Sequence, residues 1–251
     1  MIARNLANTR VRVSIFSFKE RRLFKGLERP PGMISYAVTV CNEDHEIAEL
    51  LKFLKRNIRE EDEVVVLVDS KNVTPAVLKV LKGHKIHYRD FDGDFAAHKN
   101  HMNSLCQGSH IFNIDADEIP SALLVEKLPE ICQNDFDVCY VPRVNLLPGA
   151  SRRELTFLGF NQNEFGAVNW PDMQGRIYRN SPEVFWEGKV HEKIKAQRIG
   201  QIEPHPHMSL WHIKSIERQM RQNALYDQLG SINQTTVKAP SGQRRVSQTG
   251  A

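Results

Sequence analysis

The chain has 251 residues, 41 % hydrophobic and 25 % charged, the balance of a globular domain with a full core. Its formal charge of +4 sits at the ends: residues 1–32 hold eight Lys/Arg against two acids, residues 231–251 hold three against none, and the body is left five charges negative. A basic nucleic-acid-binding face on the body is excluded by that distribution, and no apolar run approaches the ~18 residues of a transmembrane helix.

Residues 1–32 read as a basic N-terminal extension that ends at the breaker Arg29-Pro30-Pro31-Gly32. Between Val11 and Phe24 aromatic residues mix with Arg and Lys, a pattern that also suits an interfacial helix or an arm for an anionic partner. Ile34 to Cys41 is an apolar, β-branched strand, and Ile47, Leu50, Leu51 and Leu54 then recur at helical spacing. Val64 to Val68 is fully apolar, as in a sheet covered on both faces. Thr74-Pro75 predicts a helix start and Gly83 its stop. A strand over Ile86–Phe91 and a helix over Phe95–Gln107, ended by Gly108, follow. A strand over Ile111–Ile114, a helix capped by Ser121 and a strand over Val138–Val141 complete a βαβαβαβ order, which implies a largely parallel α/β sheet flanked by helices. One domain over 33–230 is expected, with a nucleotide-binding half at 33–142 and an acceptor half at 143–230. The polar tail 231–251 is expected to be disordered.

Cys41, Cys106, Cys132 and Cys139 form no C-x-x-C pair and read as free thiols of a reducing compartment. With no secretory h-region, the sequence places the chain in the cytoplasm, with peripheral membrane contact at most.

In an open parallel sheet ligands bind beyond the carboxyl ends of the strands. The residues that follow the strands here are Asn42-Glu43, Asp69-Ser70, Asp92-Gly93-Asp94 and Asp115-Ala116-Asp117-Glu118, so acids collect on that edge. Asp115 and Asp117 are two apart and face one way in extended chain. Two convergent carboxylates repel unless a cation separates them, and Mg²⁺ or Mn²⁺ prefers such oxygen ligands with phosphate oxygens completing the shell. The sequence has no P-loop, no G-x-G-x-x-G after the first strand, no G-x-S-x-G and no H-E-x-x-H.

From Ile34 to Leu229 the sequence resembles the family-2 glycosyltransferases, inverting enzymes of GT-A (Rossmann-like) fold. The resemblance rests on "VTVCNE" (38–43), on Asp69 closing the second strand, on Lys99-Asn100 within "FAAHKNHMNSLCQG", and on the D-x-D strand "IFNIDADE". Farther on, "NWPDMQGRIYRN", "WEGKVHEKI" and "LWHIKSIERQMRQNALY" are similar to a lipopolysaccharide-core-type and phage-encoded branch. The resemblance implies a nucleotide-sugar donor, UDP-linked in most of the family. Val40, Asn42, Glu43, Asp69, Lys99, Asn100, Asp115, Ala116 and Arg179 would contact it, and Asp115, Asp117 and His212 would hold the metal. The family's general base is an Asp within a Glu-Asp pair; here the comparable segment is His191-Glu192, so Glu192 is the first candidate and Asp172 the rival. The acceptor would be a glycan, a lipid-linked glycan or a modified DNA base. A non-catalytic binding module of degenerate transferase fold and a nucleotidyltransferase remain the alternatives.

Overall fold

The computed structural model describes residues 12–16, 32–224 and 226. The expected tail 231–251 and most of the basic arm lie outside them. Within the arm, β1 (Arg12–Phe16) is a strand rather than a helix and pairs in parallel with β11 (Arg198–Ile202).

The first half follows the alternation read from the sequence. β2 (Ile34–Val40), α1 (Asp44–Asn57), β3 (Glu63–Asp69), α2 (Pro75–Val80), β4 (Ile86–Arg89), α3 (Phe95–Leu105) and β5 (His110–Asp115) come in order. They are followed by β6 (Glu118–Pro120), α4 (Ala122–Ile131) and β7 (Val138–Leu146). Local chemistry fixes the helix starts: Thr74 Oγ1 accepts from Val77 N at 3.3 Å, Asp94 Oδ1 from Ala97 N at 2.8 Å, and Ser121 Oγ from Leu124 N at 3.3 Å.

β2 pairs in parallel with β3 on one side and β5 on the other, and β3 pairs with β4. The chain thus winds outward in one direction from β2 and then resumes on its other flank, which makes the β2/β5 boundary the switch point where the carboxyl edge opens into a crevice.

The second half departs from a simple parallel continuation. β8 (Val168–Arg179) inserts antiparallel between β5 and β7. β11 flanks the start of β7, and β12 (Leu210–Ile213) flanks its end and pairs with β6. A short helix, α5 (Arg152–Phe157), and a hairpin of β9 (Phe185–Glu187) with β10 (Lys193–Lys195) lie outside the main sheet. Residues 216–224 form a C-terminal helix.

Strand alternation sorts the core onto two faces. Tyr36, Val38, Phe112 and Ile114 pack against Ile47, Leu50 and Leu54 of α1 and Leu124 and Leu128 of α4. Ala37, Val65 and Ile111 face the other way, against Ala96 and Met102 of α3 and Trp186 of β9. Burial of each such Leu, Ile or Phe contributes roughly 1.5–3 kcal/mol relative to exposure. Among the described residues no helix is long and apolar enough to cross a membrane, and all four cysteines are free thiols.

Candidate active site

The carboxyl ends of β5, β7 and β12 and the start of β8 enclose a cleft of about 500 Å³. Four acids line it (Asp115, Asp117, Asp172, Glu192) together with five cations (Lys99, Arg143, Arg176, Lys193, Lys214).

Asp115 closes β5 and takes a bond from Arg176 Nη2 at 2.6 Å. Burial alone would raise its carboxyl pKa, but Arg176 and Lys99 outweigh that and hold it well below the carboxylate range. Asp117 lies on the turn between β5 and β6, and its Oδ2 is 3.3 Å from His212 Nε2 and 3.2 Å from Lys214 Nζ. Burial again raises and His212 and Lys214 lower, so Asp117 also stays ionised at neutral pH.

The hydrogen-bond pattern orients His212. Asn145 Nδ2 donates to Asp172 Oδ2 at 2.9 Å, which leaves Asn145 Oδ1 facing His212 Nδ1 at 2.9 Å. The Nδ1 therefore carries the proton, and in the neutral ring Nε2 presents a lone pair toward the Asp117 carboxylate. An imidazole lone pair and a carboxylate oxygen so close call for a proton or a cation between them, so the donor set suits a divalent metal. Among the described residues no three His, Cys, Asp or Glu side chains form a ready cage, since Asp115 is tied to Arg176.

Asp172, on β8 opposite Arg143 of β7, receives Arg143 Nη2 at 2.7 Å, Arg143 Nε at 2.9 Å and Gln174 Nε2 at 2.6 Å in addition to Asn145. Burial raises its carboxyl pKa, but Arg143 and these amides prevail and hold it below the ordinary value. Glu192 differs: its charged partner is Lys99, whose Nζ is 2.6 Å from Oε1 and 4.3 Å from the Trp186 ring centroid. The residue before it, His191, has φ +56 and packs edge-on to Tyr226 at 5.4 Å. Gln222 joins Tyr226 to Lys214, with 2.9 Å to the phenol oxygen and 2.8 Å to Nζ, so the C-terminal helix closes one wall.

Of the residues singled out from the sequence, Lys99, Asp115, Asp117, Asp172, Glu192 and His212 all line this cleft. The others do not. Val40 is a core side chain, Ala116 is buried, and Glu43 Oε2 caps its own turn by accepting from Cys41 N and Asn42 N, each at 2.9 Å. Asp69 is spent on Lys71 N, Phe91 N and Asn72 Nδ2. Asn100 clamps the backbone of Trp186 through both its amide atoms, at 2.8 Å each. Arg179 requires a correction. Because β8 is antiparallel to β5, Arg179 lies opposite His110 at the far edge of the sheet, bonded to Phe136 O at 2.7 Å. Arg176, three residues earlier, is the arginine that reaches Asp115, the first of the D-x-D acids. Arg143, Asn145 and Lys214 were not singled out at all; none stands in a recognisable spacing.

A doubly wound sheet with paired aspartates at its switch-point edge defines the GT-A class of α/β fold. Residues 35–204, more than half of the chain, match the family described as Glycosyl transferase family 2, and the chain belongs to that family. No curated protein sequence matches it. Among solved structures it is similar to glucosyl-3-phosphoglycerate synthase from Mycobacterium tuberculosis in complex with Mn²⁺, UDP-glucose and phosphoglyceric acid. Identity there is 14 %, the TM-score is 0.50, and 93 % of this chain and 90 % of that one are covered. It is also similar to S. aureus TarS 1–349 in complex with UDP-GlcNAc, at 15 % identity and TM-score 0.50, with 72 % of this chain covered. The match spans 58 % of that TarS chain, little more than half its length.

Proposed function

We propose that the chain transfers one sugar from a UDP-sugar donor to an acceptor hydroxyl of a saccharide or lipid-linked glycan, with inversion at the anomeric carbon. The observation that carries this reading is the placement of Asp115, Asp117 and His212 in one cleft with Glu192, a carboxylate free of the multiple donors that hold Asp172. Asp117 and His212, with Asp115, would hold Mn²⁺ or Mg²⁺, and the ion would offset the charge that gathers on the leaving diphosphate. Arg176 and Lys214 bring positive charge to the same side. Glu43, Asp69 and Asn100 shape the nucleotide side by holding its loops and Trp186.

Glu192 takes the proton from the acceptor hydroxyl as that oxygen attacks the anomeric carbon. Lys99 sets the orientation of its carboxylate, and Trp186 beneath Lys99 offers an aromatic wall. Asp172 orients the acceptor as a fixed hydrogen-bond acceptor. The UDP-GlcNAc bound by the TarS structure supports the choice of donor, and the UDP-glucose and Mn²⁺ bound by the synthase support both donor and metal.

The test is binding and hydrolysis of a panel of nucleotide sugars with Mn²⁺, Mg²⁺ or EDTA, on the wild type and Asp117→Ala. Metal-dependent turnover of one donor, lost in the variant, is expected. If no donor binds under any metal, the catalytic reading fails and the non-catalytic module of degenerate transferase fold takes its place.

A further inference from the structure

Glu118 takes no part in the chemistry above, yet it is fully buried and satisfied on both carboxylate oxygens. Its Oε1 accepts from Arg143 Nη1 at 2.8 Å and from Arg176 Nη2 at 2.6 Å, and its Oε2 accepts from Asp115 N at 3.1 Å. Each arginine reaches onward. Arg176 bonds Asp115 Oδ2 on the metal side, and Arg143 grips Asp172 Oδ2 on the acceptor side.

We infer that Glu118 is a positioning residue that joins the donor-side carboxylate Asp115 and the acceptor-side carboxylate Asp172 into one rigid unit through Arg176 and Arg143. Two guanidinium groups converging on a buried point repel each other and keep their places only around a shared anion. Among the described residues Arg176 Nε has no hydrogen-bond partner, so the seat of this side chain depends on what its two Nη atoms touch. Those contacts are Asp115, Glu118 and Asn113. Sites assembled from several strands need such a supporting layer, because a small misplacement of either carboxylate loosens the whole constellation. A Glu118 that only neutralised buried charge would affect stability without linking the two sides.

The discriminating variant is Glu118→Gln in the full chain. Its amide has one oxygen, so it cannot accept both from the arginines and from Asp115 N, and its NH₂ must face a donor. The remote perturbation is Asp172→Asn. The readouts are the side-chain ¹⁵Nε signals of Arg143 and Arg176, and calorimetric binding of UDP with Mg²⁺. The second readout rests on the proposed nucleotide site; the first does not.

In the wild-type background Asp172→Asn is expected to shift the Arg176 signal and weaken UDP binding about threefold. Glu118→Gln is expected to weaken it about tenfold, and adding Asp172→Asn to that variant to change nothing further, as for members of one network. Effects that multiply to roughly thirtyfold, or a folded Glu118→Gln chain that binds UDP as the wild type does, would overturn the inference. If the wild type binds no UDP, the transferase reading fails and the arginine signals alone decide the coupling. Should Glu118→Gln not fold, Arg143→Lys serves instead, because an ammonium cannot span Glu118 and Asp172 in the same fork. An Arg176 signal unmoved by that change would equally sink the proposal.

Discussion

Lys99 Nζ lies 2.6 Å from Glu192 Oε1 and 4.3 Å from the centroid of the Trp186 ring. Three elements meet there: α3 supplies the lysine, β9 the indole, and the loop into β10 the carboxylate. Asp172, across the cleft, is held by Arg143, Asn145 and Gln174, three of its four bonds falling on Oδ2. Their surroundings divide the roles, since a carboxylate gripped by a guanidinium and two amides is a poor place to deliver a proton.

Replacement of Glu192 by Gln should therefore lower kcat by about 10²–10⁴-fold while UDP affinity stays within a few-fold. Asp172→Asn should act mainly on the acceptor KM. Steady-state kinetics of both variants decides the matter; the reverse pattern would make Asp172 the base.

Asp117 and His212 should make nucleotide binding depend on metal. UDP with Mn²⁺ at about 100 times its Kd should add about 2.7 kcal/mol of stability, a rise of about 5–10 °C in Tm. That rise should vanish with EDTA or in Asp117→Ala and shrink in His212→Ala. A thermal-shift series measures it, and a full UDP-induced shift that persists in EDTA would remove the metal from the site.

His110 should make the fold sensitive to acid. It is buried at the start of β5, its Nε2 has no partner among the described residues, and burial together with Arg179 pushes its pKa down to about 4. The unfolded chain takes up this proton near pH 6.5 and the folded chain does not. Its contribution is thus intact above about pH 6.5 and is lost as the pH falls toward 4, by at most about 3 kcal/mol. Denaturant titrations at pH 7 and pH 5 should show this loss in the wild type and a smaller one in His110→Phe. Equal losses would place the acid sensitivity elsewhere.

Gly108 and Gly83 should respond differently to alanine. A Cβ on Gly108 would meet Ser35 N at 2.6 Å and Met33 O at 2.7 Å, backbone atoms of β2 and of the residue just before it. Gly83 has φ +87 and nothing within 4 Å of that Cβ. Gly108→Ala should cost about 2–3 kcal/mol by overpacking, against about 1 kcal/mol for the left-handed backbone of Gly83→Ala. Comparable midpoints for the two variants would contradict the close approach.

The difference between these glycines shows what was legible in the sequence. Both read as helix stops, and for Gly83 the positive φ agrees. At Gly108 the need for glycine comes from a strand distant in sequence, which no local pattern records. The strand ends fared in the same way. Val64–Val68 and Ile111–Ile114 were located within a residue or so of their observed bounds, because apolar, β-branched runs between turn residues are a local signal. β8 was not located, since Asp172, Gln174 and Arg176 face a polar cleft and the strand shows no clean apolar alternation. Arg179 was misplaced for that reason: only the antiparallel direction of β8 decides which of two arginines faces Asp115.

What the sequence by itself determined was the order of strands and helices through β7, several helix caps, and the collection of acids after the strands, all products of short-range periodicity and turn chemistry. The tertiary structure alone decided which groups meet. Arg143, Arg176 and Lys214 reach Glu118, Asp115 and Asp117 only because β7, β8 and β12 are laid side by side. A buried charge is stable there through partners that lie far away along the chain and within 3.3 Å in space.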